Sequence, residues 1–336
     1  MYKNVRTISR WALVVALITL AGCRATPAPT ATPLPPTATP IPPTPTPEPE
    51  PWQQKADMPV PALSAAASVV EGRIYLIGGA KNRYDPAHAA VQIYDPAADA
   101  WAQGADMPTP RSYLASSVVN GKFYVCGGSP AWSIVPALPT VEVYDPATDR
   151  WEERADMPTP RSGFSTQAID GKVYAFGGDQ ACACSVEVYD PATDRWEKRS
   201  DMPTPRARGA SALLDGKVYL IGGNPPGGDS TPIVDVYDPA TDSWSQAADL
   251  PTLGVDRASC VLAGQIYAIS GMQGSDRFRH EVDRYDPAAN VWQRGPDLLR
   301  ARAGHAVASL GDRIYVLGGS ASRTAQGDVW EYDPAR

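Results

Sequence analysis

The side chains of this sequence best suited to chemistry are mostly arginines. Arg161, Arg208 and Arg257 stand just ahead of strand-like runs, while Arg277 and Arg279 bracket Phe278 in a stretch that continues to His280 and Glu281. A guanidinium is a planar fork of donors that matches a carboxylate, and such charge-assisted bonds are strong. Tyr84, Trp132 and Phe278 add aromatic faces, and His305 adds a titratable ring. Together they suit an acidic peptide or a glycan, bound by stacking and hydrogen bonding. Proton transfer needs an acid/base group as well, and Glu281 is the one carboxylate singled out for it. The repeated Asp145, Asp190 and Asp238 precede Pro and belong to turns. No Ser-His-Asp order, phosphate-binding loop or zinc motif occurs, so neither cofactor nor metal is expected.

Whatever holds these residues is repetitive. Tyr-Asp-Pro occurs at Tyr94, Tyr144, Tyr189, Tyr237, Tyr285 and Tyr332, at intervals of 50, 45, 48, 48 and 47 residues. Ahead of each lies an apolar run ending in a glycine pair, as in Val173-Tyr174-Ala175-Phe176-Gly177-Gly178; the fifth unit has Ser270-Gly271 instead. Trp101, Trp151, Trp196, Trp244 and Trp292 each follow the Tyr by seven residues. Glycine permits positive φ and close backbone approach. Val186-Glu187-Val188-Tyr189 alternates like a half-buried strand. A unit of this period with several short strands predicts a propeller blade of four antiparallel strands.

The glycine pair, Tyr-Asp, Trp, and Arg before the next inner strand resemble the Kelch repeat. The likeness covers residues 52–336 and implies an all-β, six-bladed β-propeller. It implies no single activity, because the fold hosts binding modules and enzymes alike. The segments 80–90, 129–140, 179–184, 224–232, 272–280 and 320–327 differ from unit to unit and are expected on one face. Loops on a rigid scaffold are the usual place for recognition. Kelch binding modules use arginines of the linker into the inner strand to contact acidic ligands, which makes Arg208, Arg257 and Arg161 candidates. A structural role, bonding carbonyls between blades, is the favoured reading for the recurrent Arg111, Arg161, Arg206 and Arg302, and is equally open for the off-pattern Arg208 and Arg257. The function expected is ligand or protein binding without catalysis. The alternative is an exported carbohydrate-active enzyme similar to a sialic-acid epimerase, with Glu281 as acid/base and Arg208 or Arg257 on the substrate carboxylate. A copper site like that of galactose oxidase lacks its ligands, since His88, His280 and His305 fall in different repeats.

Residues 1–23 stand apart. Lys3, Arg6 and Arg10 precede an apolar run from Trp11 to Gly22 that is short for a membrane span. Leu20-Ala21-Gly22-Cys23 resembles the bacterial lipoprotein cleavage box, which implies lipidation of Cys23, export, and anchoring at a membrane of the cell envelope. Residues 24–51 hold 12 Pro and 7 Thr and read as an extended tether. At about 3.1 Å per residue it reaches on the order of 80 Å. Removing residues 1–23 takes away three bases and no acid, so the net charge moves from −7 to −10. That balance argues against nucleic acid as a partner.

The last repeat stops before its Trp strand, and an orphan copy of that strand, Trp52 to Pro59, stands ahead of the first repeat. The N-terminal strand is therefore expected to complete the last blade, which leaves no open edge. Cys126 and Cys260 read as small buried hydrophobes, and Cys182 and Cys184 form no recognisable disulfide framework.

Overall fold

The computed structural model describes residues 50–82, 84–131, 137–179, 183–274, 276–322 and 324–336. These residues form 24 strands in six antiparallel sheets of four. Residues 66–104, 115–154, 165–198, 210–247 and 258–294 each make one blade, with strands in chain order from the axis outward. The sixth blade has strands Ala306–Leu310, Arg313–Leu317 and Val329–Tyr332, and Trp52–Lys55 supplies its outer edge with Trp52 opposite Tyr332. Each innermost strand packs on its neighbours, and that of blade six packs on that of blade one. The result is a closed six-bladed β-propeller.

Apolar side chains fill the seams between blades. Tyr75, Ile77 and Val91 of blade one, for example, meet Phe123, Val125 and Tyr144 of blade two. The polar members of the third strands are buried as well, a departure from the half-buried pattern their alternation suggested. Glu142, Glu187, Asp235 and Asp283 are each at most 6% exposed. The reason is a buried pair inside the blade. Arg111 lies 2.7 Å from Glu142 and Arg161 lies 3.0 Å from Glu187. Arg206 pairs with Asp235, and Arg302 pairs with Asp328 at 2.8 Å. Blade one has Ala62 and Gln92 in these two places, and Gln92 bonds the backbone of Val60 instead.

The outer strands are tied to the preceding blade by a repeated clamp. The carbonyls of Ala56, Ala105, Ala155, Ser200 and Ala248 accept from Nε1 of Trp101, Trp151, Trp196, Trp244 and Trp292 at 2.8–3.2 Å. The N–H groups of the same five residues donate to Asp99, Asp149, Asp194, Asp242 and Asn290 at 2.6–3.1 Å. Those side chains also accept from the Tyr-Asp-Pro tyrosines at 2.6–2.7 Å. At the closure Trp52 Nε1 donates to the carbonyl of Pro296 at 3.1 Å. Proline has no N–H, so that seam needs no acidic partner.

The fifth blade departs from the others. Its segment 272–280, expected as a loop, belongs largely to a hairpin of strands Gln265–Gln273 and Arg277–Asp286. The pairing register shifts between Ile269 and Gly271. Ser270 replaces the first glycine there at φ 55°, and its Oγ lies 2.6 Å from the carbonyl oxygens of both Arg279 and Arg302. Where glycine is kept, space requires it: a Cβ on Gly78 would sit 2.5 Å from the Arg111 carbonyl oxygen.

Candidate functional site

At the axis, on the face of the variable loops, one residue from each blade joins a ring. Ser64, Tyr113, Gly163, Arg208, Asp256 and Gly304 all have left-handed backbones, with φ from 53° to 63°. Each donates its N–H to the carbonyl of the ring member before it, and Ser64 donates to Gly304, at 2.6–3.0 Å. A non-glycine residue in this conformation costs on the order of 1 kcal/mol and persists where its surroundings fix it. Here the closing bonds fix it. They also occupy the ring's backbone N–H donors, so donation to a ligand at the mouth falls to side chains.

The ring members and the residue after each line a recess of about 100 Å³. Arg208 and Asp256, from blades four and five, form a two-pronged pair across it. Arg208 Nε lies 2.7 Å from Asp256 Oδ1, and Nη2 meets Oδ2. Asp256 raises the pKa of Arg208, so that guanidinium is charged throughout. The Arg208 guanidinium lies 5.8 Å from the centre of the Tyr113 ring. Asp179 approaches from blade three: a Cβ on Gly163 would sit 3.1 Å from Arg208 Cγ and 3.2 Å from Asp179 Oδ2. Burial pushes the Asp179 carboxyl up, against the bond from Ser162 and the charge of Arg208. Below the recess the channel holds a second space of about 340 Å³ whose lining mixes hydroxyls such as Ser68, Ser117 and Thr166 with small apolar side chains.

The sequence profile of the KLHDC2/KLHL20/DRC7 Kelch-repeats domain matches residues 44–178 and 154–319. The chain belongs to the Kelch-repeat family. This Kelch propeller also superposes on the solved structure titled "Structure of YjhT", with a TM-score of 0.70 and 19% identity over 82% of this chain and 96% of that one. At that identity the likeness shows the fold alone. No curated protein sequence matches.

Of the residues singled out in the sequence, the Kelch mouth brings together Arg208, Arg257 and His305. Arg257 lines the recess but turns its head into blade five, donating to the Thr252 carbonyl at 2.7 Å and lying 3.7 Å from Asp283. Burial lowers its pKa to about 10, against the pull of Asp283. His305 is buried, and burial with Arg302 and Arg257 holds its pKa down to about 3, so the ring is neutral. Arg161 is fully buried and donates to the carbonyls of Gly177 and Ser185 at 2.7 and 2.9 Å; it presents nothing to the mouth. Arg277, Arg279 and Glu281 lie on the long hairpin, outside the recess lining, with Arg279 and Glu281 paired at 3.0 Å. Tyr84 is 74% exposed on the blade-one loop, in a turn capped by Asn82. Trp132, Cys23 and Cys182 lie outside the described residues. Cys126 and Cys260 are free and buried.

Asp256 and Asp179 were not anticipated. A signal for Asp256 exists: it stands 11 residues before Tyr267, as Arg208 stands 11 before Tyr219. The same count locates the whole ring. Asp179 follows its glycine pair directly, a place held by Ala80, Ser129, Asn224, Met272 and Ser320 elsewhere.

Proposed function

We propose that this Kelch propeller, residues 52–336, is an extracytoplasmic binding module whose variable-loop face recognises a glycan or peptide at the axial mouth. The supporting observation is the Arg208–Asp256 pair, partly open to solvent beside Tyr113 on a ring that fixes both residues. Each shielded charge-assisted contact to a ligand contributes about 1.5–3 kcal/mol. A glycan and peptide array with the purified protein tests the reading. Binding should weaken at least about tenfold on Arg208→Ala, a change of roughly 1.4 kcal/mol. Array binding indifferent to Arg208 and Tyr113 removes the mouth as the site.

The same proposal places the propeller at the cell envelope. Residues 1–23 act as the export signal, Cys23 carries the lipid, and residues 24–51 hold the domain off the membrane. Cys23→Ser should release the protein from the membrane fraction; partitioning like the unaltered protein would falsify the anchor.

A second reading, an exported carbohydrate-active enzyme similar to a sialic-acid epimerase, is favoured by Asp179. Its carboxyl, raised by burial beside Arg208, is suited to proton transfer. It replaces Glu281 in that role, because Asp179 stands beside Arg208 at Gly163, whereas Glu281 is paired with Arg279 on the long hairpin. Sialic-acid mutarotation abolished by Asp179→Asn would displace the non-catalytic reading.

A further inference from the structure

We infer that the mouth takes a neutral, hydroxyl-rich ligand, the uncharged end of a glycan, in preference to an anionic one. This rests on the binding reading above and adds the charge class of the ligand. Four observations carry it.

The first is that the cations at the mouth already have carboxylates. Asp256 meets Arg208 with both of its oxygens and is 7% exposed on its side chain, against 26% for Arg208. Arg257 is 0% exposed on its side chain and turns to Asp283. Secondly, Asp179 brings another carboxylate to the stem of Arg208, across the gap left by Gly163. Thirdly, the anion-binding device that backbone amides often supply is absent from the ring, whose six N–H groups bond the ring's own carbonyls. Lastly, His305 is a neutral ring.

An incoming carboxylate or sulfate is an acceptor only. It would compete with Asp256 for Arg208 and meet like charge from Asp179, an unfavourable approach that discriminates against it. A hydroxyl both donates and accepts. It can donate to Asp256 while accepting from an N–H of Arg208, which has five donors of which Asp256 takes two. Tyr113, in the lining beside the Arg208 guanidinium, adds an aromatic ring on which the apolar side of a sugar can pack.

The test uses full-length protein in detergent on an array of neutral glycans, each beside its sialylated or uronic-acid counterpart, with acidic peptides included. Neutral members should bind at least about tenfold tighter than their acidic counterparts. Asp256→Asn keeps a residue that tolerates the left-handed backbone and removes the charge, so it should raise acidic relative to neutral binding about tenfold. Asp179→Asn should move the ratio the same way without touching the ring, which covers the case of a poorly folded Asp256 variant. Preference for the acidic glycans or peptides, lost on Arg208→Ala, overturns this inference and leaves the binding reading standing. No binding to any probe overturns both.

Discussion

Arg257 approaches the buried carboxylate of Asp283 to 3.7 Å from three residues further along the chain than the arginines of the other blades. Arg111, Arg161, Arg206 and Arg302 all start 13 residues before the second-strand tyrosine, where blade five has Gly254. A Cβ on Gly254 would sit 3.4 Å from Arg257 Nη2, so the Arg257 head lies beside the point where the other blades attach their arginine. The charge is retained while its point of attachment moves. Removing one member of a buried pair costs about 3–5 kcal/mol. Thr252 and Arg294 remain near Asp283, so Arg257→Ala should cost toward the lower figure, about 3 kcal/mol. Gly254→Arg in the same chain should restore most of it, since the usual attachment point is regained and the Arg257 head beside it is gone. Denaturant melts of the single and double variants check this. A double variant no more stable than Arg257→Ala refutes the equivalence.

The clamp between blades predicts a side-chain-specific and pH-dependent loss. Asp194 takes the Tyr189 hydroxyl at 2.6 Å and the Ala155 N–H at 2.9 Å, with φ 54°. Asp194→Ala removes both bonds and should cost about 2 kcal/mol. Asp194→Asn should cost far less, because Asn290 makes the same two contacts in blade five. These hydrogen bonds hold the carboxyls of Asp99, Asp149 and Asp194 below their usual range. A depressed folded pKa contributes stability that is full above the unfolded value, about 3.9, and is lost as pH falls through the folded value. Melting temperature should therefore drop as pH falls below about 4. The gap between the protein and a variant with Asn at all three places should narrow over the same range. An unchanged gap would show that the shifts do not govern acid stability.

Much of this architecture is legible because period and side-chain type travel together. The seven-residue step from Tyr to Trp fixes a turn, and the orphan Trp52 reveals the displaced strand. The ring is less legible because it is a backbone property. Its six members are five different residue types, and only Gly163 and Gly304 advertise a left-handed conformation. The candidate site suffers from this directly. Arg208 is visible as an off-pattern base, but its partner Asp256 is one of many aspartates until the two are seen to share an offset. Arg257 misleads for the opposite reason: an arginine outside its usual place suggests a ligand, whereas the space vacated at Gly254 draws its head inward. Arg277, Arg279 and Glu281 attract notice through charge, and the extra hairpin length that sets them outside the recess is not encoded by any repeat.

Closure by the N-terminal strand makes Trp52 more buried than its counterparts. It is 3% exposed, its ring centre lies 5.1 Å from that of Tyr332, and its Nε1 bonds Pro296. Trp52→Ala should cost about 3–5 kcal/mol, and deletion of residues 52–59 more, because the edge of Val329–Tyr332 then loses its ladder. Differential scanning calorimetry measures both. A deletion that melts with the full chain would rule out closure as a source of stability.

Arg161 and Arg208, only 47 positions apart and both ahead of inner strands, should separate stability from recognition. Arg161 is 0% exposed and lies 3.0 Å from Glu187, so Arg161→Ala leaves a buried carboxylate and two carbonyls without their donor. The expected loss is about 3–5 kcal/mol, with whatever binding survives in the folded fraction unchanged in affinity. Arg208→Gly is the informative change at the mouth. It removes the guanidinium, and with it the pair to Asp256, yet relieves a left-handed backbone at φ 57°. Gly163 and Gly304 already occupy equivalent places, so the ring can close around glycine without strain. Relief of the backbone is about 1 kcal/mol, and it offsets part of the cost of leaving Asp256, 7% exposed on its side chain, without its partner. The net loss of stability should therefore stay below the roughly 3–5 kcal/mol expected of Arg161→Ala while ligand binding falls at least about tenfold. A large drop in melting temperature with affinity retained would make Arg208 a structural residue like Arg161 and remove the mouth from the binding face.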